Sequence, residues 1–292
     1  MGSRDVAEKR ETIYSKCRLC GDEAEHKAHY AKEMFFGTGQ EFAYFECDKC
    51  QCIQILEIPE NLGEYYGKGY YSFEKPDIHE PKSAEKVATR VLDVGCGAGK
   101  WLVEKYEQGH IHLLGCDPFV ETDIFYEPCI HIRKCTIHEI EGSFDLIRLS
   151  DSFEHMSDPL EVLQSVNRLL DVNGMCLLSI PVIPNAAYDI FREYWYEWDA
   201  PRHLFLHSVK SMEYLCGKAG LKIEGINYNS QIFQFTSSLL YQRGIPYLRQ
   251  DGEAMKREFT QKEIDGFASL TAELNQKGYG DHAVFVIVKQ CR

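Results

Sequence analysis

The cysteines are the residues best equipped for chemistry. Cys17-x-x-Cys20 and Cys47-x-x-Cys50 each present two thiolates from a tight turn, and two such pairs supply the four soft ligands that tetrahedral zinc takes. A redox pair opens a helix within a βαβ unit, and neither pair is set that way. The stretch between them holds Gly37-Thr38-Gly39, and Phe42, Tyr44 and Phe45 lead into the second pair, so a small structural zinc ribbon is expected over residues 1–60. Cys52, His26 and His29 stand in reserve as ligands. Cys96, Cys116, Cys129, Cys135, Cys176 and Cys216 fall in predicted strands, helices or their turns and read as small buried hydrophobes.

A second chemical feature is the apolar run Val91-Leu92-Asp93-Val94, which ends in Gly95-Cys96-Gly97-Ala98-Gly99. Glycines are needed where a chain turns from strand to helix through left-handed dihedrals while a ligand touches its backbone. A phosphate-binding Walker loop requires Gly-Lys-Ser/Thr, yet Lys100 is followed by Trp101. A dinucleotide turn runs Gly-x-Gly-x-x-Gly, whereas this one runs Gly-x-Gly-x-Gly after an Asp. Ile111 to Asp117 is a second apolar strand ending in an acid about twenty residues past the loop, where a nucleoside-binding α/β fold places a carboxylate for ribose hydroxyls.

Together, loop and acid resemble motif I and the following strand of the class I S-adenosylmethionine (SAM) methyltransferases. The run Asp151-Ser152-Phe153-Glu154-His155-Met156-Ser157-Asp158-Pro159 resembles the segment after strand four in the same family. The resemblance implies SAM as cofactor, with Asp93, Gly95, Cys96, Gly97, Gly99, Asp117, Pro118 and Ser150 around it and Cys135 and Thr136 in the adenine-contacting region. Methyltransferases with an N-terminal zinc ribbon carry a Tyr-Tyr segment before the SAM domain, so Tyr70 and Tyr71 are expected to lie over the cofactor.

Methyl transfer from a sulfonium is an in-line displacement, in which the protein positions the acceptor and removes its proton. A histidine suits that task. The insert after strand five contains Tyr194-Trp195-Tyr196-Glu197-Trp198-Asp199-Ala200-Pro201-Arg202-His203-Leu204, where aromatic rings, Arg202 and His203 suit a pocket wall that stacks on a ring and handles an anion. His203 is the first candidate base, His155 the second, and Arg202 the expected anion contact. The phrase resembles that of bacterial glycan and secondary-metabolite methyltransferases. Sugar C-methyltransferases read Glu-His where this chain has Arg202-His203, which speaks against carbon methylation.

These groups need a scaffold. Strands are predicted at Val91–Val94, Ile111–Cys116, Ile130–Lys134, Phe144–Ser150, Met175–Ile180, Lys222–Tyr228 and His282–Lys289, with amphipathic helices between them. Asp158 and Pro159 start one helix, whose apolar face holds Leu163, Val166 and Leu170 and which Asn173-Gly174 stops. Ser208 caps another that Gly220 ends. This alternation predicts an α/β fold, a doubly wound, mostly parallel seven-stranded sheet, Rossmann-like as in class I methyltransferases, with its last strand pair antiparallel. The expected division is a ribbon over 1–60, a Tyr-rich segment and linker over 61–87, and a methyltransferase domain over 88–292. Inserts 183–207 and 230–280 would form an acceptor-side cap.

At 292 residues and 44% hydrophobic composition, the chain buries a sizeable core. No apolar run reaches membrane-spanning length and Met1-Gly2-Ser3-Arg4-Asp5 has no apolar signal core, so a cytoplasmic protein with no membrane partner is expected. A net charge of −13 without a basic stripe argues against nucleic acid. The combined reading is SAM-dependent methyl transfer to a small molecule, a hydroxyl of a sugar, nucleotide sugar or related metabolite. Two other classes fit the same motifs: a SAM-binding, partner-recruiting protein without turnover, and an RNA methyltransferase.

Overall fold

Residues 11–66, 74–81 and 85–290 are described in the structure, a computed structural model. Tyr70 and Tyr71 lie outside them. The first strands, β1 (Thr12–Lys16) and β2 (Glu23–Lys32), alternate exposed and more buried positions, as expected of a two-sided antiparallel pair. In β3 (Glu41–Glu46) Tyr44 and Phe45 are fully buried, and β4 (Ile53–Ile55) is buried along its length. β3 pairs antiparallel with both β2 and β4. The two Cys-x-x-Cys turns close the β1–β2 and β3–β4 connections, helped by left-handed backbone at Gly21 and Gln51.

The elements of the larger unit are β5 (Val87–Val94), α1 (Lys100–Glu107), β6 (His110–Cys116), β7 (Ile124–Tyr126), β8 (Ile130–Arg133), β9 (Phe144–Ser150), α2 (Pro159–Leu169) and β10 (Leu170–Ile183). There follow α3 (Ala186–Phe191), β11 (Phe205–Ser208), α4 (Val209–Lys218), β12 (Leu221–Tyr228), α5 (Phe233–Gln242), α6 (Gly252–Glu258), α7 (Gln261–Gln276) and β13 (His282–Lys289). Strand and helix alternate only in part, since among the described residues no α-helix separates β6, β7, β8 and β9. All seven expected strands form, in the order β12-β13-β10-β9-β5-β6-β8. The run from β10 to β8 is parallel, while β13 is antiparallel to both β10 and β12, so the sheet is mixed.

Two pairings were not foreseen. β7 adds an antiparallel edge to β8. β11 pairs parallel with the end of β10 and antiparallel with β4, which joins the ribbon and the larger unit into one 13-stranded sheet. Buried residues of the ribbon, such as Tyr44, Cys52 and Ile53, therefore share one core with Ile180, Trp195 and Phe205.

Local chemistry explains the helices. Pro159 occupies the first turn of α2, and Val162, Leu163, Val166 and Leu169 face the core. The expected Asp158 cap does not form, because the Asp158 carboxylate is engaged by His138 Nε2 at 2.8 Å. α2 also ends earlier than Asn173-Gly174: β10 begins at Leu170 and absorbs that dipeptide as an irregularity before Met175. Ser208 caps α4 as predicted, accepting from Ser211 N at 3.0 Å. Among the described residues no helix is long and apolar enough to cross a membrane.

Candidate active site

Three centres emerge, one on the ribbon and two on the carboxyl ends of the sheet. In the ribbon, Cys17, Cys20, Cys47 and Cys50 converge within one cluster, with Cys17 Sγ to Cys50 Sγ and Cys20 Sγ to Cys47 Sγ each 3.6 Å. Four thiolates about 2.3 Å from a tetrahedral ion lie roughly 3.8 Å apart, so the spacing fits a metal and is far longer than a disulfide. Gln54 Nε2 donates to Cys17 Sγ at 2.8 Å, a typical outer-shell contact. Cys52 lies outside the four-sulfur cluster, and His29 is engaged by Glu46 at 3.0 Å.

The glycine loop lies between β5 and α1. Gly95, Gly97 and Gly99 all have left-handed φ (71°, 52° and 82°), and a Cβ on Gly95 would stand 2.5 Å from Ser152 Cβ. Asp117, 6% exposed, accepts from Gly97 N at 2.9 Å and from Phe119 N at 2.8 Å, so the acid after β6 braces the loop. Burial raises its pKa above the usual carboxylate value despite those two bonds. Beside the loop lies a cavity of about 770 Å³ lined by Asp93, Gly95, Cys96, Lys100, Trp101, Arg148 and Ser150, among others. Asp93 is pushed up to about 6 by burial, which outweighs its 3.0 Å pairing with Arg148. That guanidinium lies over the Trp101 ring at 4.6 Å.

Of the expected cofactor residues, Asp93, Gly95, Cys96 and Ser150 line this cavity, whereas Gly97, Gly99 and Asp117 do not; Gly97 and Asp117 are joined by their mutual hydrogen bond. Pro118, Cys135 and Thr136 do not line the cavity either. Thr136 instead opens a capping box with Glu139.

A second cavity of about 440 Å³ is lined by Ser150, Asp151, Glu154, His155, Glu197, Asp199, His203, Tyr241 and His282, with further aromatic and amide side chains. Ser150 lines both cavities, at the end of β9. His155 and His203 come together with ring centroids 4.8 Å apart. His155 Nδ1 donates to Arg202 O at 2.9 Å and His203 Nδ1 to Glu197 O at 2.7 Å. A carbonyl only accepts, so both Nδ1 atoms carry the proton. Burial drives both histidines toward the neutral form, His155 down to about 3. Each Nε2 therefore presents a lone pair.

Arg202 is placed differently from the expectation. Its guanidinium is fully buried, forks onto the Asp199 carboxylate, donates to Tyr65 O at 3.1 Å and lies 4.2 Å from the Phe35 ring centroid. It does not line the second cavity, and it holds Asp199 and ties the insert to Tyr65. Arg202 outweighs burial at Asp199 and holds that carboxyl down at about 2. Sequence reasoning missed Glu154, Asp151 and His282 as site residues. Glu154 adjoins the candidate base His155 within the quoted run, whereas the Asp151–His282 contact of 2.7 Å joins segments 131 positions apart and has no local signature.

A glycine loop braced by an acid stands on a mixed α/β sheet of this order. The methyltransferase domain family matches residues 70–225, just over half of the chain, and the chain belongs to that family. Residues 70–225 are a methyltransferase domain. A tRNA U34 carboxymethyltransferase of Campylobacter jejuni is 26% identical over 172 residues, covering 52% of this chain and 56% of its own. Phosphoethanolamine N-methyltransferase 1 of Triticum aestivum is 26% identical over 247 residues, covering 77% of this chain and 47% of its own. The chain thus spans about half the length of these curated relatives. Among solved structures, phosphoethanolamine N-methyltransferase 2 of Haemonchus contortus, in complex with phosphomonomethylethanolamine and S-adenosylhomocysteine, is similar at 22% identity and a TM-score of 0.43. That match covers 71% of this chain and 50% of the other. A cyclopropane synthase of Mycobacterium tuberculosis is similar at 15% identity and a TM-score of 0.43, over 70% and 80%.

Proposed function

We propose that this protein transfers a methyl group from SAM to a small polar acceptor seated in the cavity of His155 and His203, while a structural zinc ion in the four-cysteine cluster holds the ribbon. The observation that carries the reading is that Ser150 lines both cavities, the second of which holds a neutral imidazole. SAM supplies an electrophilic methyl group on a sulfonium. Gly95, Cys96, Gly97 and Gly99 offer backbone at close approach, Asp117 an acceptor for ribose hydroxyls, and Asp93 and Ser150 the side walls. Tyr70 and Tyr71 belong to the same proposal through the resemblance alone, as do Pro118, Cys135 and Thr136.

On the acceptor side, His203 Nε2 takes the proton of the attacking hydroxyl, with His155 as the second candidate and Arg202 as a positioning residue. The described lining holds four carboxylates and neither Arg nor Lys, which disfavours a nucleotide diphosphate and favours an uncharged sugar or related metabolite. RNA is a second reading, motivated by the tRNA U34 carboxymethyltransferase relatives, and the acidic lining and net charge weigh against it.

The test is turnover of labelled SAM by the full chain against sugars, small metabolites and bulk tRNA, with His203→Ala alongside. Transfer to a small molecule, slowed by about two to four orders of magnitude in the variant at unchanged SAM affinity, is the expected result. SAM binding without transfer to any of them would favour a binding protein. Full turnover by His203→Ala would move the base to His155 or remove histidine from the step.

A further inference from the structure

Glu154 is the most anomalous side chain in the acceptor cavity. It is 1% exposed, and neither carboxylate oxygen has a hydrogen-bond partner. Leaving such a group unpaired is costly, and burial, reinforced by the charge of Asp151, disfavours its ionised form. It faces the two imidazoles whose Nδ1 protons are already committed to carbonyls, and Glu154 Oε1 lies 3.8 Å from His203 Nε2. Ligand atoms of Glu154, His155 and His203 all lie within 4.8 Å of one another. Three acceptors thus converge, and no donor completes them among the described residues.

We propose that Glu154, His155 and His203 form a binding site for a first-row divalent cation, separate from the ribbon cysteines. Two neutral imidazoles and a carboxylate are a ligand set suited to Mn, Fe, Co or Zn. Histidine ligands are oriented by a hydrogen bond from the other ring nitrogen, as Arg202 O and Glu197 O provide here. The framework is built rather than incidental: Leu204 N donates to Glu154 O at 2.9 Å, which clamps the turn after β9 against the insert bearing His203. The 3.8 Å separation of Glu154 Oε1 and His203 Nε2 suits a metal better than an ammonium group. Ligands about 2.1 Å from an ion lie at most about 4.2 Å apart. Acceptors around a tetrahedral ammonium, at about 2.8 Å each, lie roughly 4.6 Å apart.

This inference rests on the methyltransferase reading only for its role. With the cation bound, the acceptor oxygen coordinates it from the cavity, which lowers that oxygen's proton affinity. The hydroxyl proton leaves to water, an O–C bond forms as the C–S bond of the sulfonium breaks, and the electron pair stays on sulfur. His203 is then a ligand rather than the base.

The experiment titrates the full chain, its ribbon metal intact, with Mn²⁺ followed by the electron paramagnetic resonance of the free ion. It includes Glu154→Gln, which keeps the shape and removes the charge. One saturable site is expected, weakened about tenfold or more by the substitution, with ribbon zinc content and melting unchanged. Methyl transfer should fall when that site is stripped and return with Mn²⁺. Absence of a saturable site, or equal binding by Glu154→Gln, overturns the proposal, as does ethanolamine binding that depends on Glu154 where Mn²⁺ does not bind. Transfer indifferent to Mn²⁺ returns His203 to the role of base and removes the catalytic role of the ion. Glu154-dependent Mn²⁺ binding without any transfer sustains the metal site and defeats the methyltransferase reading instead.

Discussion

Replacing Arg202 tests the placement of the insert most sharply, because the sequence assigns it to the acceptor and the structure assigns it to Asp199. Removing one partner of a buried pair leaves an uncompensated charge, at about 3–5 kcal/mol. Arg202 is fully buried and the Asp199 side chain 18% exposed, which places Arg202→Met near the lower bound, about 3 kcal/mol. That is a large fraction of the roughly 5–15 kcal/mol available to a folded domain. The partner substitution Asp199→Asn removes the stranded charge and tolerates the left-handed backbone there, φ 35°. The double variant should therefore recover most of the loss, to within about 1 kcal/mol of wild type, since neutral replacement of a buried pair costs little.

The assay is urea unfolding at pH 7.5 followed by tryptophan fluorescence, with Trp195 and Trp198 close by in the insert. The single variant's deficit should shrink on acidification toward pH 5. Without Arg202, burial raises Asp199, so protonation removes the stranded charge. A loss under about 1 kcal/mol in Arg202→Met, or a double variant as unstable as the sum of the singles, would refute this account. So would an intact fold with only a raised KM for acceptor.

Asp117→Ala should weaken SAM binding by about 1–3 kcal/mol in calorimetry, since it deprives ribose hydroxyls of an acceptor and Gly97 N of its brace; unchanged affinity would remove the cofactor assignment. Stripping zinc from the ribbon should unfold β1–β4 and, through the β4–β11 pairing, raise hydrogen exchange in β11 while SAM binding survives. Stoichiometric zinc missing from protein purified without chelator would end that claim. His207, fully buried between Phe153 and Phe205, is lowered to about 3 by burial alone. The unfolded chain then binds more protons below about pH 6.5, so His207 destabilises the fold as pH falls through the window from 6.5 to 3. Relative to His207→Leu, wild type should lose about 2.3 kcal/mol between pH 6.5 and 4.5; a pH-independent difference would show that His207 titrates normally.

The parallel strands were legible because burial writes short apolar runs, as in Val91-Leu92 and Leu146-Ile147, each closed by turn residues or an acid. β7 and β11 were not. Ile124–Tyr126 is three residues long and Phe205–Ser208 four, too short for a period to show. β11 exists because β4 and the end of β10 each offer an unpaired backbone edge, a tertiary fact. Asp158 failed as a cap for a similar reason: its carboxylate has His138 as a competing partner, from twenty positions earlier in the chain.

The site divides along the same line. Thiolate spacing and glycine spacing are local, and the ribbon cluster and the Asp117–Gly97 brace follow from residues a short motif contains. The acceptor cavity is assembled instead from β9, the insert before β11, α5 and β13, and its chemistry lies in relations between segments. Arg202 looks like an anion contact when read beside His203, and only the fold brings Phe35, Tyr65 and Asp199 around it. Glu154 looks like one more acidic residue until the two imidazoles are seen to spend their Nδ1 protons on carbonyls. The unmet acceptors around Glu154 result from that choice of tautomer, and the tautomer is set by backbone atoms that no side-chain motif records.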